Sequence, residues 1–267
     1  MLWADYHVHS EHSPDSTAEL ELICDAALAK DVREFCLTDH LDPGHPTCDQ
    51  PPVFDRWLAD IAQCRQQYPA LTIRTGLEIG DNSLVREGIL QTLAGLPLDF
   101  RLLSLHLVDG LDPYDSAYFE GRTQEEAYRR YVEVKLESVL HFPDYDALAH
   151  LGYCGKFAPY PAARRALRWR HAPDHIDMLL RSLAQNGKAL EINTSGLKET
   201  DSTIPGWDIL RRFAELGGEF VTLGSDAHAP EYLAYRFEDA RRIALSAGLK
   251  WGVTFEKRTP HPYKLED

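Results

Sequence analysis

His7 and His9 stand one residue apart in the stretch Asp5-Tyr6-His7-Val8-His9, directly after the short apolar run Leu2-Trp3-Ala4. Side chains alternate along a strand, so a strand here turns both imidazoles to one side. Two neutral imidazoles aimed at one point suit a transition metal. A lone His-x-His pair is commonly just exposed strand. In this chain, however, similar groups recur after later apolar runs. His40 follows Phe35-Cys36-Leu37, Glu78 follows Leu71–Leu77, and His106 follows Phe100–Leu105. His150 follows Tyr145–Ala149, Asn193 follows Ala189–Ile192, and Asp226 and His228 follow Phe220–Leu223.

The elements that must position these residues alternate. Ser16-x-x-Glu19 has the form of a capping box, and Leu20, Ile23, Cys24, Ala27 and Leu28 then repeat at helical spacing. Further helices are expected over Phe54–Gln67, Ser83–Ala94, Thr123–Leu140, Pro173–Gln185, Trp207–Leu216 and Arg236–Ser246. Asn186-Gly187 supplies a helix stop. Seven strands, with Lys250–Thr254 as a short eighth, make a βα alternation that predicts a parallel sheet covered by helices. Seven or eight such repeats can close into a barrel. The alternative is an open doubly wound sheet, but its Gly-rich first turn is absent. In a barrel the C-terminal strand ends meet on one face, so residues far apart in sequence converge there.

Nine convergent ligand candidates are too many for one tetrahedral ion. They suit two or three divalent ions with a carboxylate between a pair, and Glu78 is the expected bridge. Such ions make hydroxide available at neutral pH and neutralise a phosphoryl group, which points to phosphate-ester hydrolysis.

Composition narrows the remaining classes. The 267 residues fit one domain, taken as 1–267, and the 44% hydrophobic content is ordinary. No apolar run approaches the ~20 residues of a membrane span. The opening residues have no signal-peptide pattern, and five cysteines without C-x-x-C do not form a disulfide framework. Cys24, Cys36 and Cys64 fall in apolar patterns as reduced core residues, so a cytoplasmic protein without a membrane partner is expected. A net charge of −14 argues against a nucleic-acid-binding face.

The pattern as a whole resembles the polymerase-and-histidinol-phosphatase (PHP) superfamily of metal-dependent phosphoesterases. The matching stretches are Asp5-Tyr6-His7-Val8-His9-Ser10, Leu37-Thr38-Asp39-His40, Gly76-Leu77-Glu78, Ser104-Leu105-His106, Ala149-His150 and Gly224-Ser225-Asp226-Ala227-His228. The resemblance implies a distorted (β/α)7 TIM-like barrel with a trinuclear centre of zinc, iron or manganese. One metal would take His7, His9, Glu78 and Asp226. A second would share Glu78 and add His106 and His150, and a third would take Asp15, His40 and His228. Asp15 stands where some members have histidine, and His12 matches no ligand position. Leu190–Gly196, Leu105–Gly110 and Val253–Arg258 resemble the histidinol-phosphatase branch, which cleaves L-histidinol phosphate in histidine biosynthesis. That branch often has an acidic residue two positions after the fifth strand's histidine, where this chain has Gly152.

The expected reaction is attack of a metal-bridged hydroxide on phosphorus. Lys156, six residues after His150, would hold phosphoryl oxygens with the third metal. Asp226 or His228 would pass a proton to the leaving alkoxide. Glu120 would meet the substrate's ammonium or imidazole, and Asn193 would orient a ligand or contact substrate. Arg164, Arg165, Arg168 and Arg170 read as a solvated face. The rival activities are hydrolysis of nucleoside phosphates or small phosphodiesters, and a metal-binding interaction module without catalysis.

Overall fold

In the computed structural model, which describes residues 3–266, the first strand is β1, Ala4–Val8, with all five residues buried. Burial on both faces is what a parallel strand under helices requires, and it explains the continuous apolar character of these runs. β1 pairs in parallel with β2 (Glu34–Leu37). A two-residue strand β3 (His40–Leu41) and the nine-residue β4 (Thr72–Gly80) follow. Then come β5 (Phe100–Ser104), β6 (Ala147–Leu148), β7 (Ala189–Asn193) and β8 (Phe220–Gly224). The sheet runs β1-β2-β4-β5-β6-β7-β8, all parallel. Closure comes at the C-terminal ends. Val8 bridges Ala227, the His9 amide donates to the Ala227 carbonyl at 2.9 Å, and the Asp226 amide donates to the His7 carbonyl at 2.8 Å. The result is a seven-stranded distorted barrel.

The chain departs from the expected strand plan in two places. β4 continues past Glu78 to Gly80, because β3 pairs with its end in the register His40↔Glu78 and Leu41↔Ile79. The expected eighth strand is β9 (Trp251–Glu256), which pairs in parallel with the start of β8 and turns back into β10 (Thr259–Lys264). β10 was not foreseen because Pro260 and Pro262 argue against a strand. It is a mostly exposed edge, where a missing N–H costs no ladder bond. Val253 and Phe255 of β9 pack with Tyr6, Phe100, Leu102 and Ala147 inside the barrel, below the strand ends. The Tyr6 hydroxyl ties this plug to β1 by accepting from the Phe255 amide at 2.7 Å.

Outside the barrel lie α1 (Leu20–Ala29), α2 (Phe54–Gln67), α3 (Arg86–Ala94) and α4 (Gln124–His141). They are followed by the one-turn α5 (Ala162–Arg165) and by α6 (Pro173–Gln185). The set ends with the short α7 (Gly196–Glu199), then α8 (Trp207–Glu215) and α9 (Phe237–Ser246). Thr123 caps α4 in a reciprocal box with Glu126. The box expected from Ser16 and Glu19 does not form. Glu19 precedes α1 without a side-chain cap, and the Ser16 hydroxyl lies 3.2 Å from the His228 carbonyl, tying the loop after β1 to the loop after β8. All five cysteines are free and buried. Among the described residues no helix is long and apolar enough to cross a membrane.

Candidate metal centre

The strand registers bring the candidate ligands to one point at the mouth of the barrel. Glu78 lies at its middle, essentially without solvent exposure. Its Oε2 is 3.1 Å from His7 Nε2 and 3.4 Å from His9 Nε2. Its Oε1 is 3.2 Å from His106 Nε2 and 2.7 Å from His150 Nε2. Asp226 Oδ1 closes on the first pair at 3.7 Å from His7 and 3.6 Å from His9. Asp226 takes the left-handed backbone conformation, φ 54°, at the turn after β8, which Asp tolerates better than most residues. On the other side of His9, Asp15 Oδ2 is 3.3 Å from His40 Nε2 and 3.0 Å from His228 Nε2. The His9 ring stacks on His228 at 4.1 Å and on His40 at 4.5 Å.

Four groups of ligand atoms lie within 4.8 Å of one another: His7-His9-Glu78, Glu78-His106-His150, His9-Asp15-His40-His228 and His40-Asp42-His106. Mixed imidazole and carboxylate donors are what zinc, iron and manganese accept, so the residues fit divalent ions. The electrostatics are those of a site that needs positive charge. Burial works to raise the Glu78 pKa, yet His7, His106 and His40 hold it well below its ordinary value. Burial likewise opposes ionisation of Asp226, but Lys156, His7 and His228 keep it a carboxylate. His9 is pushed the other way. Burial, with His228, His40 and His7 beside it, drives its pKa well below the ordinary value and leaves a neutral ring able to bind metal.

A supporting layer holds the rings. Glu191 Oε1 is 2.6 Å from His7 Nδ1, and its Oε2 accepts from the His150 amide at 2.6 Å. Asp42 spans two rings, 2.7 Å from His40 Nδ1 and 2.9 Å from His106 Nδ1. The Ser13 hydroxyl is 3.1 Å from His9 Nδ1. The carboxylates of Glu191 and Asp42 keep the proton on Nδ1 of His7, His40 and His106, and so aim those Nε2 lone pairs inward. The sequence reading missed Asp42 and Glu191. The available signals were an acid two residues after His40, and a lone charged residue within the apolar strand Ala189–Asn193.

A cavity of about 380 Å³ opens from the cluster. Lys156 lines it and donates to Asp226 Oδ2 at 2.8 Å. Further out, Tyr114 and Phe157 form an aromatic pair at 4.5 Å, and Asp112 lies 3.1 Å from His45 Nε2 while accepting from the Tyr153 hydroxyl at 3.1 Å. Two expected substrate contacts are placed elsewhere. Glu120 is exposed and outside the cavity, because Tyr118 and Phe119 bury themselves at the preceding turn and send the next side chain outward. The acid of that loop that faces the cavity is Asp112. Asn193 is fully buried behind the ligands, donating to Glu191 at 3.3 Å and accepting from Ser195, so it orients a supporting carboxylate. His12 turns away from the cluster, toward Asp60 at 3.2 Å.

Against known proteins, residues 5–195 match the PHP domain family. A histidinol-phosphatase of Lactococcus lactis subsp. lactis is 30% identical over 253 residues, covering 94% of this chain and 93% of that protein. A probable histidinol-phosphatase of Deinococcus radiodurans is 30% identical over 271 residues, covering 97% of this chain and 98% of that protein. The crystal structure of the histidinol phosphate phosphatase from Lactococcus lactis subsp. lactis, complexed with zinc, L-histidinol and phosphate, superimposes with a TM-score of 0.88 at 29% identity. The match covers 97% of this chain and 98% of that one. A structure of the putative histidinol phosphatase from Listeria monocytogenes, 21% identical, shares the fold with a TM-score of 0.76, covering 88% and 99% of the two chains.

Proposed function

The chain belongs to the PHP domain family, and from that membership we propose that it is a metal-dependent phosphomonoesterase hydrolysing L-histidinol phosphate. The observation that carries this reading is a cavity with two chemically distinct ends. One end gathers Glu78, His40, His106, His150 and Lys156, and the other presents Asp112 beside Tyr114 and Phe157. A phosphoryl group fits the first end. An ammonium and an imidazole fit the second, one against a carboxylate and the other against aromatic rings.

His7, His9, Asp15, His40, Glu78, His106, His150, Asp226 and His228 are assigned as the residues that hold the divalent ions. Bound there, the ions supply an acidified water and neutralise charge on the phosphoryl group. Lys156 is assigned to a phosphoryl oxygen, with Asp226 keeping its ammonium over the cluster at 2.8 Å. His228 is assigned to hand a proton to the leaving oxygen of histidinol, since Asp226 is held as a carboxylate. Asp112 takes the place that Glu120 was expected to fill. The reading treats 1–267 as a single barrel domain working in the cytoplasm, where five reduced cysteines are at home.

The test is phosphate release from L-histidinol phosphate by the manganese- or zinc-loaded protein, beside a nucleoside monophosphate and a cyclic phosphodiester. The expected preference in kcat/KM is about 10⁴-fold, the scale on which a site built around substrate polar groups rejects analogues lacking them. Equal or faster turnover of either comparison ester would remove the histidinol phosphate assignment. Activity that survives complete metal removal would remove the metal centre.

A further inference from the structure

A second cleft, of about 470 Å³, lies between the segment 163–170 and helix α8, and shares no lining residue with the metal cavity. Its charge is opposite to that of the chain. Five arginines and two acids line it, on a protein with a net charge of −14. Two of the arginines, Arg164 and Arg170, are exposed and have no ion-pair partner among the described residues. The other three have some partner: Arg168 reaches Asp208 only at 3.5 Å, while Arg211 and Arg212 pair with Glu215, and Arg212 also with Asp177.

The cleft also contains two indoles, and both are anchored by their edges. Trp169 Nε1 donates to Asp177 at 2.9 Å, and Trp207 Nε1 donates to the Ser246 hydroxyl at 3.0 Å. With the N–H groups satisfied, the surface left to solvent is largely apolar ring, 37% of Trp169 and 40% of Trp207. Each indole already carries a guanidinium against its ring, Arg211 at 5.3 Å from the Trp207 ring centre and Arg212 at 5.9 Å from that of Trp169, so a flat ring entering the cleft would extend an existing cation–π stack.

The geometry points to a binding site for a purine nucleotide in this cleft. Free guanidinium forks match phosphate oxygens two at a time, and anchored indoles match a base. The volume lies in the range of small-molecule sites and far exceeds what an inorganic anion fills. The site is also joined to the catalytic end of the molecule. The Arg165 carbonyl packs so closely on Gly155 that a Cβ there would meet it at 2.3 Å, and Gly155 precedes Lys156. On the opposite wall, Trp207 begins α8 just after the stretch in which Ile204 exchanges backbone hydrogen bonds with Asn193, at 2.9 Å each way. An occupant that draws the two walls together therefore acts on Lys156 through one wall and on the Asn193–Glu191 support through the other.

Calorimetric titration of the metal-loaded protein with ADP, pyrophosphate and adenosine tests this. Arg164→Ala/Arg170→Ala and Trp207→Ala serve as variants. ADP is expected to bind at least about tenfold more weakly to each variant, the scale of losing one charge-assisted contact or one stacked ring. The KM for L-histidinol phosphate in the absence of ADP should be unchanged, since none of these residues lines the metal cavity. Three results would overturn the proposal: no ADP binding at millimolar concentration, equal ADP affinity in wild type and both variants, or pyrophosphate binding as tightly as ADP. Hydrolysis of L-histidinol phosphate is measured separately, so failure of the nucleotide site is distinct from failure of the phosphatase reading.

Discussion

The carboxylate of Asp42 occupies the space where a side chain on Gly80 would stand: a Cβ built on Gly80 would lie 1.3 Å from Asp42 Oδ1. That oxygen holds His106 Nδ1 at 2.9 Å, and its partner Oδ2 holds His40 Nδ1 at 2.7 Å. Glycine at the end of β4 is thus what lets one acid fix two rings. Gly80→Ala should push Asp42 aside and free both imidazoles. Supporting groups of this kind typically contribute 10–100-fold in metal affinity or activity, so a loss of about that size is expected with the fold retained. Steady-state kinetics beside circular dichroism check it, and wild-type activity in a folded variant would show that Asp42 is not needed for ring placement.

Glu191 makes the same argument from the opposite wall. Its Oε1 sits 2.6 Å from His7 Nδ1, in space left open by Gly224, whose Cβ would come within 2.2 Å of it. A carboxylate there accepts from Nδ1–H and leaves the Nε2 lone pair facing Glu78. Glu191→Gln keeps the shape but can present an N–H instead, favouring the wrong tautomer. Metal retained after dialysis against a chelator should fall, with affinity reduced about 10–100-fold. Unchanged retention would show that His7 is oriented without Glu191.

These supports mark the boundary of what the sequence alone could reveal. The βα alternation is legible because the barrel strands are largely buried on both faces and the longer helices carry a 3.6-residue stripe, so the period changes visibly along the chain. His7, His40, Glu78, His106, His150 and Asp226 stood out because each follows such a run, and the strand ends of a barrel converge. Asp42 and Glu191 did not, since one looks like a loop acid and the other like a stray charge in a strand. Their meaning appears only when the ring nitrogens opposite them are placed. Glu120 and Asp112 could not be ranked because the direction each faces depends on how Tyr118 and Phe119 bury themselves. β10 was hidden by its prolines, which only an edge position excuses.

Lys156 has two jobs that separate experimentally. Its ammonium, 2.8 Å from Asp226 Oδ2, helps keep that acid ionised and also faces the cavity. Lys156→Ala should lower kcat/KM for the phosphate ester about 100-fold, the order found when a charged contact to a transferring group is removed. Lys156→Arg should restore much of it, since a guanidinium also pairs with phosphoryl oxygens. Alanine and arginine variants with equal, near-wild-type kinetics would remove Lys156 from the reaction.

Lys135 supplies a pH signature that belongs to the fold. It lies in α4 with no solvent exposure, and its Nζ has no hydrogen-bond partner among the described residues. Burial lowers its pKa to about 7, although Glu78, Glu191, Asp81 and Asp42 pull the other way; bound divalent ions would push it in the same direction as burial. In the unfolded chain a lysine titrates near 10.4. Between these values the unfolded state binds a proton that the folded state does not, so stability rises with pH from about 7 toward about 10. Below about 7 both states carry the charge, and the full penalty of burying it applies. Lys135→Met removes that penalty at similar volume. The variant should therefore be more stable than wild type by roughly 3–5 kcal/mol near pH 6.5, at about 1.4 kcal/mol per unit of displaced pKa, with the advantage fading by pH 10. Denaturant unfolding of both proteins across that range measures the difference, in which titrating groups remote from Lys135 cancel. A difference that stays constant with pH would mean that the Lys135 ammonium is as well solvated in the folded protein as in the unfolded one.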